Sequence, residues 1–409
     1  MIDENNDSAV VLKRLDLSNF RNYSALHLDV KPSPIVLTGP NGAGKTNLLE
    51  AISMLMPGRG MRSAPFDVLL AKNSPVPQWA VSALVEGPDD QVRLGTSWQT
   101  VENGQGLTST PTNKLTNARP SSARLASLDG DSSVGIGAFA DYIRIIWLTP
   151  AMDRLFSGPS GDRRRFLDRL VSVTDLAHSR ASSNFEKLMR QRNALLAEQA
   201  YDKVWLSTIE QQMAQQAVAI AAARLASIDA LQGHIDAADG RDTSLDLRQN
   251  ISNIFPAARL VLQGSVEALV RDNPAVQCED EYAKILADSR GLDQAAGRTL
   301  NGPHRSDLMV FHAQKDMEAR ACSTGEQKAL LVGLILAQAR MVKSQFQGRM
   351  PVLLLDEVAA HLDKDRRQGL FDELLATGAQ CWLTGTDTMQ FEALENNTQF
   401  FTVNNGQVE

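Results

Sequence analysis

The sequence predicts an α/β fold: a mixed sheet carrying a phosphate-binding loop, interrupted by a mainly helical lobe that contains an antiparallel helix pair. Three observations predict it. Residues 34–38 (PIVLT) form an apolar run that passes through the glycine-rich turn 39–46 (GPNGAGKT) into the helix-forming run 47–52 (NLLEAI). Strand, turn and helix in that order make a P-loop. Residues 352–355 (VLLL) form a second apolar run that ends abruptly in two carboxylates, Asp356 and Glu357. Between these motifs, from Asp162 to about Ala237, the apolar period changes from two toward roughly 3.6, the change from strand to helix.

The elements follow in chain order. Val10 to Leu17 and Ala25 to Val30 read as strands flanking the turn Asn19-Phe20-Arg21-Asn22-Tyr23, which places Arg21 near the mouth of the nucleotide site. In the P-loop, Gly39, Gly42 and Gly44 let the backbone turn so that its N–H groups face a triphosphate at a helix N-terminus. Pro40, Asn41, Ala43 and Asn47 complete that cradle. Lys45 supplies a point charge for the β and γ phosphates, and Thr46 offers its hydroxyl to Mg²⁺. Beyond the helix, glycines break the pattern at 58–62 (GRGMR) and put Arg59 and Arg62 on a loop. Trp79 to Val85 and Val92 to Trp98 alternate as an antiparallel hairpin, about Gly104 to Ser133 is mostly loop, and Tyr142 to Leu148 is a buried strand. In the helical region, Trp205, Ile209, Met213, Ala217 and Ile220 form one apolar stripe, and two long helices back to back are the simplest account. The stretch Arg241 to Gln263 adds strand or loop, Tyr282 to Ser289 helix, and Leu308 to Phe311 strand.

Composition narrows the class. With 409 residues, 43% of them hydrophobic, the chain can build two or three domains with real cores. The polar start MIDENNDSAV lacks the basic and apolar regions of a signal peptide. The most apolar segment, Ala329 to Ala337, is far shorter than the roughly 20 residues of a membrane span, so the expectation is a soluble cytoplasmic protein. Cys278, Cys322 and Cys381 are scattered outside any CxxC spacing, which argues for buried packing rather than disulfides or zinc. A net charge of -7 excludes a polycation. It leaves room for one basic face on nucleic acid, because screening confines the field to about 8–10 Å.

Ser323-Thr324-Gly325-Glu326-Gln327 opens the helix-forming run Lys328 to Arg340 and makes a second anion-facing helix start. Asp356 would complete the Mg²⁺ shell opposite Thr46, and Glu357, on the other side of the strand, would polarise the attacking water. The order P-loop, S-x-G-E helix, LLLLDE strand and then Ala360-His361-Leu362-Asp363 resembles the ABC-type ATPase head. Its members aim the signature of one subunit (here Ser323 and Gly325), with Asp363 of the D-loop, at the γ-phosphate held by another. No transporter-type switch histidine follows the strand near Cys381 to Leu383, where Thr386 is the nearest candidate sensor.

More specifically, the chain resembles the RecF family of bacterial repair ATPases along most of its length. LSNFRNY (17–23), WLTP (147–150), RRRFLD (163–168), QRNALL (191–196), GPHRSDL (302–308) and STGEQK (323–328) carry the resemblance, with Ser306 and His361 as departures. It implies an ATP-dependent homodimer that hydrolyses ATP slowly and acts at gaps between single- and double-stranded DNA. It further implies work with RecO and RecR to load RecA, in recombinational repair, replication restart and the SOS response. DNA would meet Arg59, Arg62, Arg163, Arg164 and Arg165. The domains implied are a discontinuous head, 1–165 with 290–409, around a helical lobe, 166–289. The alternative, an energy-coupling subunit of a membrane transporter, shares the P-loop and signature. Against it stand the long insertion between them and GPHRSDL.

Overall fold

The computed structural model describes residues 10–88, 90–100, 124–198, 202–240, 254–360 and 362–409. Most of the loop expected near 104–133, the start of the stretch from Arg241, and His361 lie outside the described residues. Two compact units emerge, Met1–Pro150 with Gly348–Glu409, and Ala151–Gln347.

The first unit opens with β1 (Val11–Phe20), β2 (Tyr23–Asp29), β3 (Ile35–Thr38), α1 (Lys45–Ser53), β4 (Gln78–Glu86), β5 (Gln91–Gln99), β6 (Arg124–Leu128) and β7 (Ile145–Leu148). The second unit holds α2 (Ser160–Thr174), α3 (Leu176–Leu196), α4 (Lys203–Ala238), β8 (Ala258–Gln263), α5 (Ser265–Asp272), α6 (Ala275–Asp288), α7 (Arg290–Ala296), β9 (Asp307–His312), β10 (Met317–Glu318) and α8 (Thr324–Gln345). The chain then returns to the first unit with β11 (Val352–Leu355), α9 (Lys364–Thr377), β12 (Cys381–Thr384), β13 (Gln399–Asn404) and β14 (Gln407–Val408).

In the first unit, β2-β1-β4-β5-β6 form one antiparallel sheet, and β14-β13-β3-β12-β11-β7 form a second in which all but β14 run parallel. The parallel strands β3, β7, β11 and β12 (IVLT, IIWL, VLLL, CWLT) are buried at every position, as strands covered on both faces must be. By contrast β4 and β5 bury alternate residues, the pattern of a sheet with one packed face. Gln380 staples the two sheets: its side chain accepts from Leu12 N–H and donates to Leu12 C=O, both at 2.9 Å. Because register aligns Leu355 with Leu148 and Leu383, and Thr384 with Leu37, the loops after β3, β11, β12 and β7 leave from one edge. That edge, the carboxyl end of a parallel sheet, is where open α/β folds bind ligands.

Two expectations need correction. Within the predicted loop 104–133, residues 124–128 are strand β6, paired with β5. Its signal was one short RLASL run in Ser-rich sequence, and pairing with β5 decides it. Arg124 on that strand donates to the carbonyls of Met54, Met56 and Gly58, closing the C-terminal end of α1, and burial pushes its pKa down to about 10.

The two expected long helices are three. Asp175 breaks the first, taking an extended conformation and capping α3 by accepting from Ala177 N–H at 2.9 Å. Ile209, Met213, Ala217 and Ile220 do join a core with Phe185, Tyr282 and Leu286. Trp205 does not, at 58% exposed, and Leu206 takes its place at 0%. Asp202 caps α4 at Val204 and Trp205, so Trp205 lies in the first turn, where the packed face has rotated by one residue.

The second unit is framed by buried arginines. Arg192, fully buried, donates to Glu210 at 2.9 Å, Asp293 at 2.7 Å, Thr299 Oγ1 at 2.9 Å and the carbonyl of Leu286 at 2.7 Å. Such a pair is tolerated only when every proton and lone pair is matched. Replacing Arg192 by Met strands Asp293 beneath the surface. Urea unfolding should show a loss of about 3–5 kcal/mol.

Candidate functional site

Two glycines of the P-loop are fixed by space as well as by conformation. A Cβ on Gly39 (φ 141°) would lie 2.2 Å from Val403 O, and one on Gly44 (φ 122°) 2.5 Å from Asn22 Nδ2. The loop's carbonyls are drawn outward: Ala43 C=O accepts from Asn22 Nδ2 at 2.9 Å and from Gly406 N–H at 3.1 Å, and Gly44 C=O accepts from Tyr23 Oη at 3.1 Å. The turn NFRNY is thus the outer brace of the cradle. Lys45 is buried, and its Nζ donates to Gly39 O at 2.6 Å and Pro40 O at 3.0 Å. Burial lowers its pKa, opposed by the charges of Glu357 and Asp356. An anion in the loop would relieve that desolvation.

Opposite, the Thr46 hydroxyl donates to Asp356 Oδ1 at 2.9 Å. Strand β11 ends at Leu355, and two residues on Glu357 adopts a left-handed conformation (φ 51°). A non-glycine residue held there stores on the order of 1–3 kcal/mol, and such strain clusters at functional sites. Thr384, at the end of β12, donates to Asp356 Oδ1 at 2.7 Å and accepts from Glu357 N–H at 2.9 Å. Sequence reasoning missed Thr384 and looked to Thr386, which is exposed. The available signal was an apolar strand ending in a hydroxyl, but only the sheet order reveals that β12 lies between the P-loop strand and the Asp-Glu strand.

The other residues singled out divide sharply. Arg21 is paired within the unit: its Nε and Nη2 grip the fully buried Glu50 of α1 at 2.9 and 3.0 Å. Arg62 donates to Asn47 Oδ1 at 2.8 Å and sits 3.4 Å from the same Glu50, while Asn47 in turn donates to Asn22 at 2.7 Å. Arg59 is exposed. In the second unit, Arg163 makes a bidentate pair with Asp307, both contacts 2.7 Å, and Arg164 donates to Ser306 C=O at 2.9 Å. Arg165 faces solvent and pairs with Asp162. The motifs 163–168 and 302–308 are therefore one interlocked structure. Asp168 accepts from Arg224, which also holds Glu267, and Ser306 Oγ donates to Glu267 at 2.6 Å. The carboxylate that Ser306 meets thus comes from Glu267 of α5.

Ser323 caps α8 through a full capping box with Glu326: its hydroxyl donates to Glu326 Oε2 at 2.9 Å, as does its N–H at 3.0 Å. Lys315 and then Ser323 push the Glu326 pKa down to about 2. Gly325 follows in the first turn of that helix, and Asp363 caps α9, accepting from Arg366 N–H at 2.8 Å.

All three cysteines are free and buried. Among the described residues no group of three or more His, Cys, Asp or Glu could hold a metal, and no helix is long and apolar enough to cross a membrane. A hydroxyl and a single carboxylate facing a phosphate cradle are the hard oxygen donors that suit Mg²⁺ bound with a nucleotide, which keeps most of its other ligands as water and phosphate. Together with the desolvated Lys45, the residues present fit ATP with Mg²⁺.

Comparison with known proteins agrees. Residues 11–409 match the model of the RecF/RecN/SMC N terminal domain. The chain is 46% identical over 397 residues to the DNA replication and repair protein RecF of Rhizobium rhizogenes, covering 97% of this chain and 98% of that one. It is 45% identical over 399 residues to the protein of the same description from Rhizobium meliloti, covering 98% of each. Among solved structures, the recombination mediator protein RecF-ATPrS of the RecFOR pathway superposes with a TM-score of 0.80 at 21% identity, covering 98% of both chains, a likeness of fold. The family model matching residues 11–409 and relatives of 45–46% identity over nearly the whole chain lead to one conclusion: the chain belongs to the RecF family of DNA replication and repair proteins.

Proposed function

We propose that this protein is an ATP-gated DNA-binding clamp: a slow, DNA-stimulated ATPase that dimerises on ATP, holds DNA, and lets go after hydrolysis. The observation that carries the reading is the 2.9 Å contact between Thr46 and Asp356, with the strained Glu357 next in sequence. The P-loop amides and Lys45 would bind the phosphates. Thr46 and Asp356 would hold Mg²⁺. When bound, that ion would neutralise charge building on the transferred phosphoryl group. Glu357 would orient the attacking water and accept its proton. Ser323, Gly325 and Asp363 would act on the nucleotide of a second copy, which makes ATP the glue of the dimer. In the capping box the Ser323 hydroxyl is turned to Glu326, so binding a γ-phosphate in trans would redirect it.

Family membership supports the cellular role: a cytoplasmic protein at junctions of single- and double-stranded DNA, working with RecO and RecR to promote RecA loading in recombinational repair, replication restart and SOS induction. DNA contact would be electrostatic and indifferent to sequence. Arg59 and Arg165 present exposed guanidinium groups for it, whereas Arg62, Arg163 and Arg164 are engaged within the protein.

Sedimentation with ATP, Mg²⁺ and gapped duplex tests the clamp. Wild type should dimerise with ATP and co-sediment with DNA, and Glu357→Gln should remain dimeric while turnover falls by about 10² or more. Failure of both proteins to dimerise and bind DNA would sink the proposal. For DNA contact, Arg59→Ala and Arg165→Ala, each made singly, should weaken ATP-dependent DNA binding and flatten its salt dependence by about 1 unit of log–log slope. Arg163→Ala should instead leave the slope unchanged and lower the unfolding midpoint in urea, since it breaks the pair with Asp307.

A further inference from the structure

Through a single atom, its hydroxyl oxygen, Thr384 touches the Asp356 carboxylate and the backbone N–H of Glu357. It is fully buried, so no water competes for its hydroxyl. A threonine hydroxyl has one proton to give and lone pairs to accept with. Here the proton goes to Asp356 Oδ1 and a lone pair receives Glu357 N–H. This polarity is fixed, because a backbone N–H can only donate. The hydroxyl therefore tethers the backbone of Glu357 to the same oxygen that Thr46 reaches from the P-loop. The next residue, Gly385, has no room for a side chain, since a Cβ there would lie 2.5 Å from Cε2 of Phe391. The corresponding threonine at the end of β3, Thr38, turns its hydroxyl to Phe401 C=O.

We propose that Thr384 is a positioning residue for hydrolysis: its hydroxyl holds Glu357 in the left-handed conformation that aims the carboxylate, and ties that aim to Asp356. Orientation of a catalytic group is sensitive to displacements of about 1 Å, which can cost on the order of a hundredfold in rate. Phosphate binding falls to the P-loop, whereas the hydrogen bonds of the Thr384 hydroxyl go to Asp356 and Glu357. Loss of the tether should therefore appear in kcat and spare ATP affinity. The inference rests on the hydrolytic reading above, and its test separates the two.

Thr384→Val keeps the shape and removes both hydrogen bonds, Thr384→Ser keeps both, and Thr384→Cys keeps the size with a weak donor and poor acceptor. Two readouts are taken. Without nucleotide, hydrogen exchange of the peptide spanning 355–360 reports on the Glu357 N–H, which should exchange faster in the Val variant and at the wild-type rate in the Ser variant. With ATP and Mg²⁺, kcat should fall about ten- to a hundredfold in the Val variant with KM and the ATP dissociation constant within about threefold of wild type, and Ser should restore it. If the Val variant does not fold, judged by its circular dichroism and melting, the Cys variant carries the test and must show a reduced kcat with unchanged KM. Unchanged exchange and kcat in the Val and Cys variants, or a loss of ATP affinity matching the loss of rate, overturns the positioning role. A wild-type protein that binds ATP but never hydrolyses it overturns the hydrolytic reading, and the role of Thr384 with it.

Discussion

The structure of the nucleotide-binding unit depends on one hydrogen bond, from the Thr46 hydroxyl to the Asp356 carboxylate, between residues 310 positions apart. It can form only if the strand before the P-loop and the strand before Asp356 run parallel and end on the same edge. The sheet order, in which β12 separates them, satisfies that condition. It also brings Thr384, the last residue of the separating strand, between them. The continuous burial of IVLT, VLLL and CWLT follows from the same demand, since strands at the centre of a parallel sheet have no solvent face. Gln380 and the brace from Asn22, Tyr23 and Gly406 then hold the edge against the rest of the unit.

The second unit solves a different problem. Its apolar core between α3, α4 and α6 is ordinary, yet buried guanidinium groups run through it, each with carboxylate partners from distant segments. Replacing whole buried clusters, guanidinium groups and carboxylates together, by apolar side chains often costs little or nothing in stability, whereas removing one partner leaves the other charge stranded. Their value lies in geometry, because a fork of five donors accepts few arrangements of its neighbours. Arg224 fixes α4 against α2 and α5 at once, and Arg163 pins the start of α2 to β9. The same β9 leads through Lys315 to the capped start of α8 that bears Ser323. The arrangement gives the signature serine a rigid base within its own unit. Ser306 joins the same cluster by donating to Glu267, a carboxylate that Arg224 also holds.

The local features of the protein were legible in the sequence because their causes are local. Glycine spacing announces the P-loop, an apolar run cut off by Asp-Glu announces the β11 edge, and Ser-x-x-Glu announces the cap of α8. Four-residue spacing found most of the buried face of α4 and failed only at Trp205, in the first turn. Strand β6 was hidden because five residues of mixed polarity carry little periodic signal without their partner strand.

What only the tertiary structure decided is pairing at a distance. The sequence by itself determined that a triphosphate cradle, a pair of carboxylates and a capped signature helix exist, and in which order. It could not say that three arginines grouped as 163–165 would part, two into internal contacts and one toward solvent. Nor could it say that Arg21 would pair with Glu50, or that the Thr384 hydroxyl would meet Asp356. A charged or hydroxyl side chain carries no mark of its partner. Which carboxylate it meets depends on strand order and helix docking, and those are set by the burial of apolar surface across the whole chain.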